Sequence, residues 1–405
     1  MAVVSAGAVS DIIYFSRGKV NTPMSALTEI IKNEIADKGP ITFERFMELA
    51  LYHPGYGYYT SGGARIGKER DYYTSPCVHP AFGETIARFL VKAAETLGGG
   101  EFTVVEPGAG RGLLASDILG SLRQHAPEVY SRTSYVVVER SPAMIREAEA
   151  LLGGHAGRVR FAKSLGSLGP GGVTGVVLSN ELMDALPFRR ARFTDGRLRE
   201  ILVTLEDGRL TETTDDGPAP EIERYFAWKD DFVEGQEVEV NLGSAEYMKD
   251  IARVLKRGFA LTIDYGYLRE DLFGPDRMKG TYKCIYRHTV SEEPYSRIGE
   301  QDITAHVDFS LLMDTGEQAG LREVKYTTQG QFLIDWGVLE ILERESSVKK
   351  DKELREVKAL SAIKSLFLPG SMGHSFRALL QAKGLGSELE GFYPESPLTI
   401  SFGIT

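Results

Sequence analysis

The sequence predicts an α/β protein built on a doubly wound, mostly parallel sheet. Three observations carry that reading. Short apolar runs alternate with helical stretches through the middle of the chain. The first run, Phe102 to Val105, passes into Glu106-Pro107-Gly108-Ala109-Gly110-Arg111-Gly112 and then into a helical stripe of Leu113, Leu114, Ile118, Leu119 and Leu122. The fourth run ends on a polar cluster, Ser179-Asn180-Glu181, with Asp184 one helical turn later. In open sheets of this class, ligands bind at the carboxyl ends of the strands, near the point where strand order reverses.

The elements follow in order. Residues 24–52 read as two short helices, the first striped by Ala26, Leu27, Ile30, Ile31 and Ile35, the second by Phe43, Phe46, Met47 and Leu51. A turn-rich aromatic loop follows, His53-Pro54-Gly55-Tyr56-Gly57-Tyr58-Tyr59. Asp71-Tyr72-Tyr73-Thr74-Ser75-Pro76 precedes a helix from about Pro80 to Leu97, and Gly98-Gly99-Gly100 marks a boundary. Strands read at 102–106, 135–139, 158–161, 174–179 and 259–265, and helices at 112–124, 142–151 and 244–257. Between 188 and 241 the pattern becomes antiparallel, with turns at Asp195-Gly196 and Asp207-Gly208. Residues 267–300 read as a long loop, 307–319 as a helix, 322–327 as a strand and 331–385 as mostly helical, with a last strand at Leu398 to Phe402. The expected partition is a tail over 1–22, an N-terminal helical segment and cofactor cover over 23–98, and a main domain over 99–405 with insertions at 188–241, 267–300 and 331–395.

Composition narrows the function. Hydrophobic content of 42% and charged content of 26% suit a globular chain. A net charge of −10 argues against a broad nucleic-acid face. Two cysteines, Cys77 and Cys284, are too few for a disulfide scaffold and suit a reducing compartment. No apolar run is long enough for a membrane span, so no membrane insertion is expected. The first twenty residues lack the basic start of a secretory signal, and the expected location is the cytoplasm.

The glycine loop is the most informative motif. Glycines let a backbone pass close to a ligand, and the helix that follows points free N–H groups at it. The leading acid, Glu106, repels phosphate and attracts an ammonium group, which favours S-adenosylmethionine over a dinucleotide. NAD or FAD stays as the rival, since Arg111 would suit a phosphate, although dinucleotide loops usually space their glycines differently. The second strand ends on Glu139, an acid suited to two ribose hydroxyls. Ser141 reads as a helix cap before Pro142, and Ser164-Leu165 lies where adenine would be held. The expected cofactor site is therefore Glu106, Pro107, Gly108, Ala109, Gly110, Gly112, Glu139, Ser141, Ser164 and Leu165.

The expected reaction site is Asn180, Glu181 and Asp184. Methyl transfer from a sulfonium is an in-line displacement, so the protein's main task is to hold the nucleophile. Carboxylates bind the fork of a guanidinium and can take up the proton lost on methylation. Asp302, His306 and Asp308 are too irregularly spaced to read as a metal site, and Asp302 or Thr304 is expected to cap a helix from Val307. His288 falls in the long loop, where it would help to close the site. Tyr72, Tyr73, Thr74 and Ser75 are expected to cover the cofactor.

Taken together, these motifs resemble the MidA family of bacterial and mitochondrial S-adenosylmethionine-dependent methyltransferases. The match runs from about Ser25 to Thr405. It rests on the aromatic loop from His53, on Asp71 to Pro76, on Glu106 to Gly112, on Ser179 to Pro187 and on Ile263-Asp264-Tyr265-Gly266. Asp302 to Phe309 and Leu368-Pro369-Gly370-Ser371-Met372-Gly373 complete it. The resemblance implies a class I methyltransferase fold. For mitochondrial members it also implies arginine methylation of a respiratory complex I subunit, so a protein substrate is expected here. Two alternatives stand beside that expectation, methylation of a small-molecule amine and a non-catalytic assembly role.

Overall fold

The computed structural model describes residues 26–61, 74–217, 219–347 and 354–394. The expectations for the first twenty residues, for Tyr72 and Tyr73 and for a strand at 398–402 lie outside them.

The central sheet holds strands β1 (Phe102–Pro107), β2 (Thr133–Val138), β3 (Val159–Ala162), β4 (Val173–Asn180), β5 (Leu255–Tyr267), β6 (Arg322–Thr328) and β7 (Phe376–Lys383). Their order across the sheet is β3-β2-β1-β4-β5-β7-β6. The first five run parallel to their neighbours, while β7 is antiparallel to both β5 and β6. Strand order therefore reverses between β1 and β4, where Val104 sits beside Val176.

Alternation along the strands splits the apolar residues between two faces. Val104, Tyr135, Val137, Val176 and Leu178 pack under helices α4 (Ala81–Thr96) and α5 (Leu113–His125), and the same core takes in the helical insertion around Phe332, Trp336 and Leu366. Val105, Val136 and Val177 pack on the other face with Met248 and Ile251 of α7 (Leu242–Val254) and Leu312 of α8 (Phe309–Gln318). Asn241 caps α7 by accepting from the Ser244 N–H. Asp308, rather than the expected Asp302 or Thr304, caps α8 through the Leu311 N–H. Asp302 and Thr304 instead belong to a strand, Asp302–Thr304.

Helix α4 belongs to the main sheet's helical layer, so the chain makes no structural break at residue 98. The helices before it behave differently. Helices α1 (Ala26–Lys38) and α2 (Phe43–Tyr52) share a core with Phe188 and Val203 of the antiparallel insertion and with Tyr282 and Cys284. Thr42 opens α2 by accepting from the Arg45 N–H. Within the insertion, Asp195-Gly196 and Asp207-Gly208 form two-residue hairpin turns with positive φ at both positions, as the right-handed twist of paired strands favours.

Two expectations change. The segment 267–300, read as a loop, contains two strands, Lys283–Tyr286 and Thr289–Ser291, which pair with each other, and Lys283–Tyr286 pairs on its other side with Asp302–Thr304 in a small sheet. His288 lies in the tight turn of that hairpin, with φ of 62°, and not on the cavity described below. The stretch 331–385 is not helical throughout, because Phe376–Lys383 forms β7. Its run of Ala, Leu and Gln suits a helix locally, but six of its eight residues are buried between β5 and β6, and tertiary pairing overrides that preference.

Candidate active site

A cavity of about 650 Å³ opens at the carboxyl ends of β1, β2 and β4, within the size range of small-molecule sites. One wall is the glycine loop. Gly108, Gly110 and Gly112 have φ of 70°, 53° and 75°, a region that side chains resist, so the loop can turn into α5 only with glycine there. A methyl group on Gly110 would meet no atom of the described residues within 4 Å, so among these its surface is open toward the cavity. Gly112 is instead the left-handed residue that starts α5, packed against Ala148 and Leu152. Pro107, Ala109 and Gly112 shape this wall without lining the cavity.

Glu139 lies on the cavity at the end of β2. Its Oε2 accepts the Gly110 N–H at 3.1 Å, and its Oε1 accepts those of Arg140 at 2.7 Å and Ser141 at 2.8 Å. Burial raises this carboxyl above its ordinary range, and the three N–H groups oppose the rise. Ser141 also lines the cavity, but its hydroxyl makes no capping bond. Ser141 does stand at the N-cap position of the helix Pro142–Leu151, and its backbone N–H is held by Glu139. Ser164 and Leu165 line the same cavity after β3.

Glu106 is placed otherwise than expected. It shares a strand face with Val104, under the α4 and α5 layer, and is only 4% exposed. The Tyr135 hydroxyl donates to its Oε2 at 2.6 Å. Burial pushes its carboxyl up to about 8. It therefore braces the loop from behind and does not face a ligand's ammonium group across the cavity.

The opposite wall is the turn after β4. Glu181 has φ of 49°, a strained position for a residue other than glycine, and this twist turns its side chain into the cavity. The strain is held by Asp264 at the end of β5. Its Oδ2 accepts the N–H groups of Leu182 at 3.1 Å, Met183 at 2.8 Å and Asp184 at 3.4 Å, and its Oδ1 accepts that of Tyr265 at 2.8 Å. Glu181 Oε1 accepts the Ser75 N–H at 2.9 Å and the Asn180 amide at 3.0 Å. Both bonds fall on one oxygen, and among the described residues no hydrogen bond falls on Oε2. Burial, opposed by these two bonds, pushes Glu181 up to about 8.

Asn180 thus orients Glu181 and does not line the cavity. Asp184 is buried beneath the wall, so the expected pairing of two carboxylates on an acceptor is corrected: Glu181 alone of the two reaches the cavity. Burial first, then the charges of Asp264 and Asp302, drive Asp184 well above the ordinary carboxylate range. Asp264 is held up to about 7, burial outweighing its four backbone bonds.

The third wall comes from a region that carried no expected site residue. Tyr52 of α2 and Tyr59 of the aromatic loop both line the cavity, with Glu44 and Glu48 further along α2. The Tyr52 hydroxyl donates to the Ala185 carbonyl at 2.9 Å, and the Tyr59 hydroxyl to Asp302 Oδ1 at 2.7 Å. The His53–Tyr59 aromatic run was the one available signal. Tyr247 and Asp250 of α7 complete the cavity near Ser164 and Leu165.

This geometry frames the comparisons with known proteins. Residues 85–327 match the Methyltransf_28 family model, described as an S-adenosyl-L-methionine-dependent methyltransferase. The chain belongs to that family.

A COG1565 superfamily protein from Burkholderia thailandensis, solved with S-adenosyl-homocysteine bound, superposes with a TM-score of 0.82 at 30% identity, covering 92% of this chain and 96% of that one. Among sequence relatives, this methyltransferase is 28% identical over 396 residues to "Protein arginine methyltransferase NDUFAF7, mitochondrial" of Bos taurus, with 90% of this chain and 86% of that protein covered. The Homo sapiens protein of the same name is 27% identical over 391 residues, with 90% and 85% covered. The fold is accordingly the class I methyltransferase fold, and the cofactor is S-adenosyl-L-methionine. The residues present fit that cofactor: a glycine cradle open at Gly110, an acid at Glu139 and a cavity of suitable size stand together.

Proposed function

We propose that this methyltransferase acts on an arginine side chain of a protein substrate. The observation that carries the reading is Glu181, a carboxyl group turned into the cavity by a strained backbone, with Oε1 fixed by donors and, among the described residues, no donor on Oε2. Behind it lie Asp184 and Asp264, both buried. An acidic wall of this kind favours a cationic acceptor over a neutral one. The names of the bovine and human relatives point the same way, and the family resemblance puts a respiratory complex I subunit first among protein substrates.

The cofactor supplies the methyl group from its sulfonium. The Glu139 carboxylate and the Gly108–Gly112 loop would hold its nucleoside end. Glu181 accepts N–H bonds from the guanidinium, which aligns one nitrogen with the methyl group. As that nitrogen takes the methyl, it gives up a proton, which Glu181 in its ionised form is placed to receive. Asp264 keeps the turn from relaxing while this happens.

The test is mass spectrometry of proteins from cells with and without this chain, paired with a reaction of the purified protein on extracts of the deficient cells. A new methyl mark on arginine, absent with Glu181→Gln, is the expected result. A mark on no protein arginine, with S-adenosylmethionine binding intact, would overturn the reading.

A further inference from the structure

We propose that Gln329 is a positioning residue for Glu181, acting through Ser75. This rests on the reading of Glu181 as the group that meets the acceptor, and it names what holds that group. One of the two donors on Glu181 Oε1 is the Ser75 N–H, at 2.9 Å. Ser75 is bonded on its other side as well, where its hydroxyl donates to Gln329 Oε1 at 3.1 Å. The Gln329 amide in turn donates through Nε2 to the Leu366 carbonyl at 2.9 Å. A carbonyl can only accept, so Leu366 fixes which end of the amide faces Ser75, and the hydroxyl there must be the donor. Ser75 and Gln329 are fully buried. The bonds link positions 106 and 254 residues apart and run from the Glu181 turn to the helix Leu354–Phe367.

The Gln329 side chain is not needed by its own element. Thr328 already caps the helix Gln329–Asp335 by accepting the Gln331 N–H. An apolar pair of the same volume would join Ser75 to this helix without burying polar atoms, but it would let the two slide. A hydrogen bond fixes direction, and the direction fixed here is that of the Ser75 N–H toward Glu181. The far end of the chain of bonds is held closely too. A Cβ at Gly330 would stand 2.5 Å from the Phe367 carbonyl oxygen, and one at Gly373 would stand 2.3 Å from the Phe367 carbonyl carbon, so only glycine permits this packing. The Ser371 hydroxyl closes the turn after Phe367 by donating to the Leu368 carbonyl at 2.6 Å. Leu368 to Gly373, a motif that does not line the cavity, thereby keeps the Leu366 carbonyl within reach of Gln329. The Ser75 N–H favours the ionised form of Glu181 and opposes the rise that burial causes. Without Gln329 that N–H would drift, and the carboxyl would keep its proton to higher pH.

The experiment follows the ionisation of Glu181 in the full chain by thermal unfolding across the pH range. A carboxyl raised in the folded protein favours folding while protonated, and that advantage is lost as pH climbs to its folded value. The Tm of the wild type relative to Glu181→Gln should therefore fall with pH and level off near about 8. Gln329→Met and Ser75→Ala, each measured against the same variant carrying Glu181→Gln, should level off about one pH unit higher. Ser75→Ala removes a single oxygen atom and keeps the test alive if Gln329→Met does not fold. The two changes break the same bond, so together they should shift the level no further than the larger of them alone. Affinity for S-adenosylhomocysteine should stay within about threefold, because the cradle is untouched. Methyl transfer to proteins in extracts of deficient cells should fall about tenfold at neutral pH and recover as pH is raised. An unmoved level in both single variants would overturn the proposal, as would additive shifts or an undiminished rate at neutral pH. Parallel loss of S-adenosylhomocysteine binding would also overturn it, because the damage would then extend to the whole cavity. The proposed function fails separately: a shifted level with no methyl mark on protein arginine would keep the tether and discard the protein substrate.

Discussion

The cofactor half and the acceptor half of this cavity are built in contrasting ways. The cofactor half comes mainly from one continuous stretch, β1 to the residues after β3, in which each strand end supplies the next piece of wall, with Tyr247 and Asp250 of α7 closing it. The half proposed for the acceptor centres on the Glu181 turn, which is tied to Tyr52, Ser75 and Asp264, residues scattered over most of the chain. The difference teaches where constraint lies. A nucleotide-type site needs a backbone shape, and local sequence can encode a backbone shape. A site for one acceptor needs side chains held at angles, and distant partners must supply the hold.

The contrast can be broken first at the cofactor half. Gly110→Val should abolish S-adenosylmethionine binding in calorimetry, a loss of at least about a hundredfold, because the side chain would enter the cavity from a strained φ. The fold should survive, since nothing packs against that position. A variant that bound normally would show that the loop does not cradle the ligand.

Next in size is the acceptor half. Glu181→Gln should lower kcat by about 10²- to 10⁴-fold and leave the Kd for S-adenosylmethionine nearly unchanged. In the wild type, kcat/KM should rise with pH through about 8, because the free protein's Glu181 is protonated below that value and must be a carboxylate to act. A profile flat from pH 6 to 9 would remove Glu181 from the proton-transfer role.

Asp264→Asn tests whether positioning can be separated from reaction. The amide keeps one acceptor oxygen but loses the charge that holds the Leu182, Met183 and Asp184 N–H groups. A fall of about tenfold in kcat is expected, with the pH midpoint of kcat/KM shifted downward, because the Asp264 charge helps to raise Glu181. Lowered thermal stability with an unmoved midpoint would make Asp264 a purely structural residue.

The smallest effect belongs behind the cofactor half. Burial raises Glu106 to about 8, so its protonated form favours the folded state at low pH, and that stability is lost as pH climbs through about 8. Glu106→Gln keeps an acceptor for the Tyr135 hydroxyl and removes the buried charge. Its Tm should exceed that of the wild type at pH 9 and match it near pH 5. Equal Tm values at pH 9 would show that Glu106 carries no such penalty.

Legibility in the sequence follows the same division. Gly108, Gly110, Glu139, Ser141, Ser164, Leu165 and Glu181 could be picked out because each sits at a strand end that apolar periodicity marks. Glu106 was legible as an acid but not as to its direction, since one step along a strand changes the face. Asp184 and Glu181 look alike in the sequence, and only the φ of 49° at Glu181 separates the one on the cavity from the one beneath it. Tyr52 and Tyr59 carried no site expectation, because nothing local says that α2 folds across the Glu181 turn. Strand β7 was missed for a related reason: its residues prefer a helix until β5 and β6 pair with them.

By itself, then, the sequence determined the alternation of strands and helices from β1 to β5, the turn at the glycine loop and the chemistry of the strand-end acids. Those are set by periodicity, backbone freedom and charge within a few residues. The tertiary structure alone decided which carboxylate faces the cavity, which ones raise one another's pKa behind it, and which aromatic rings stand opposite. Each of those depends on burial and on distances between residues far apart in the chain, and no window of sequence contains them.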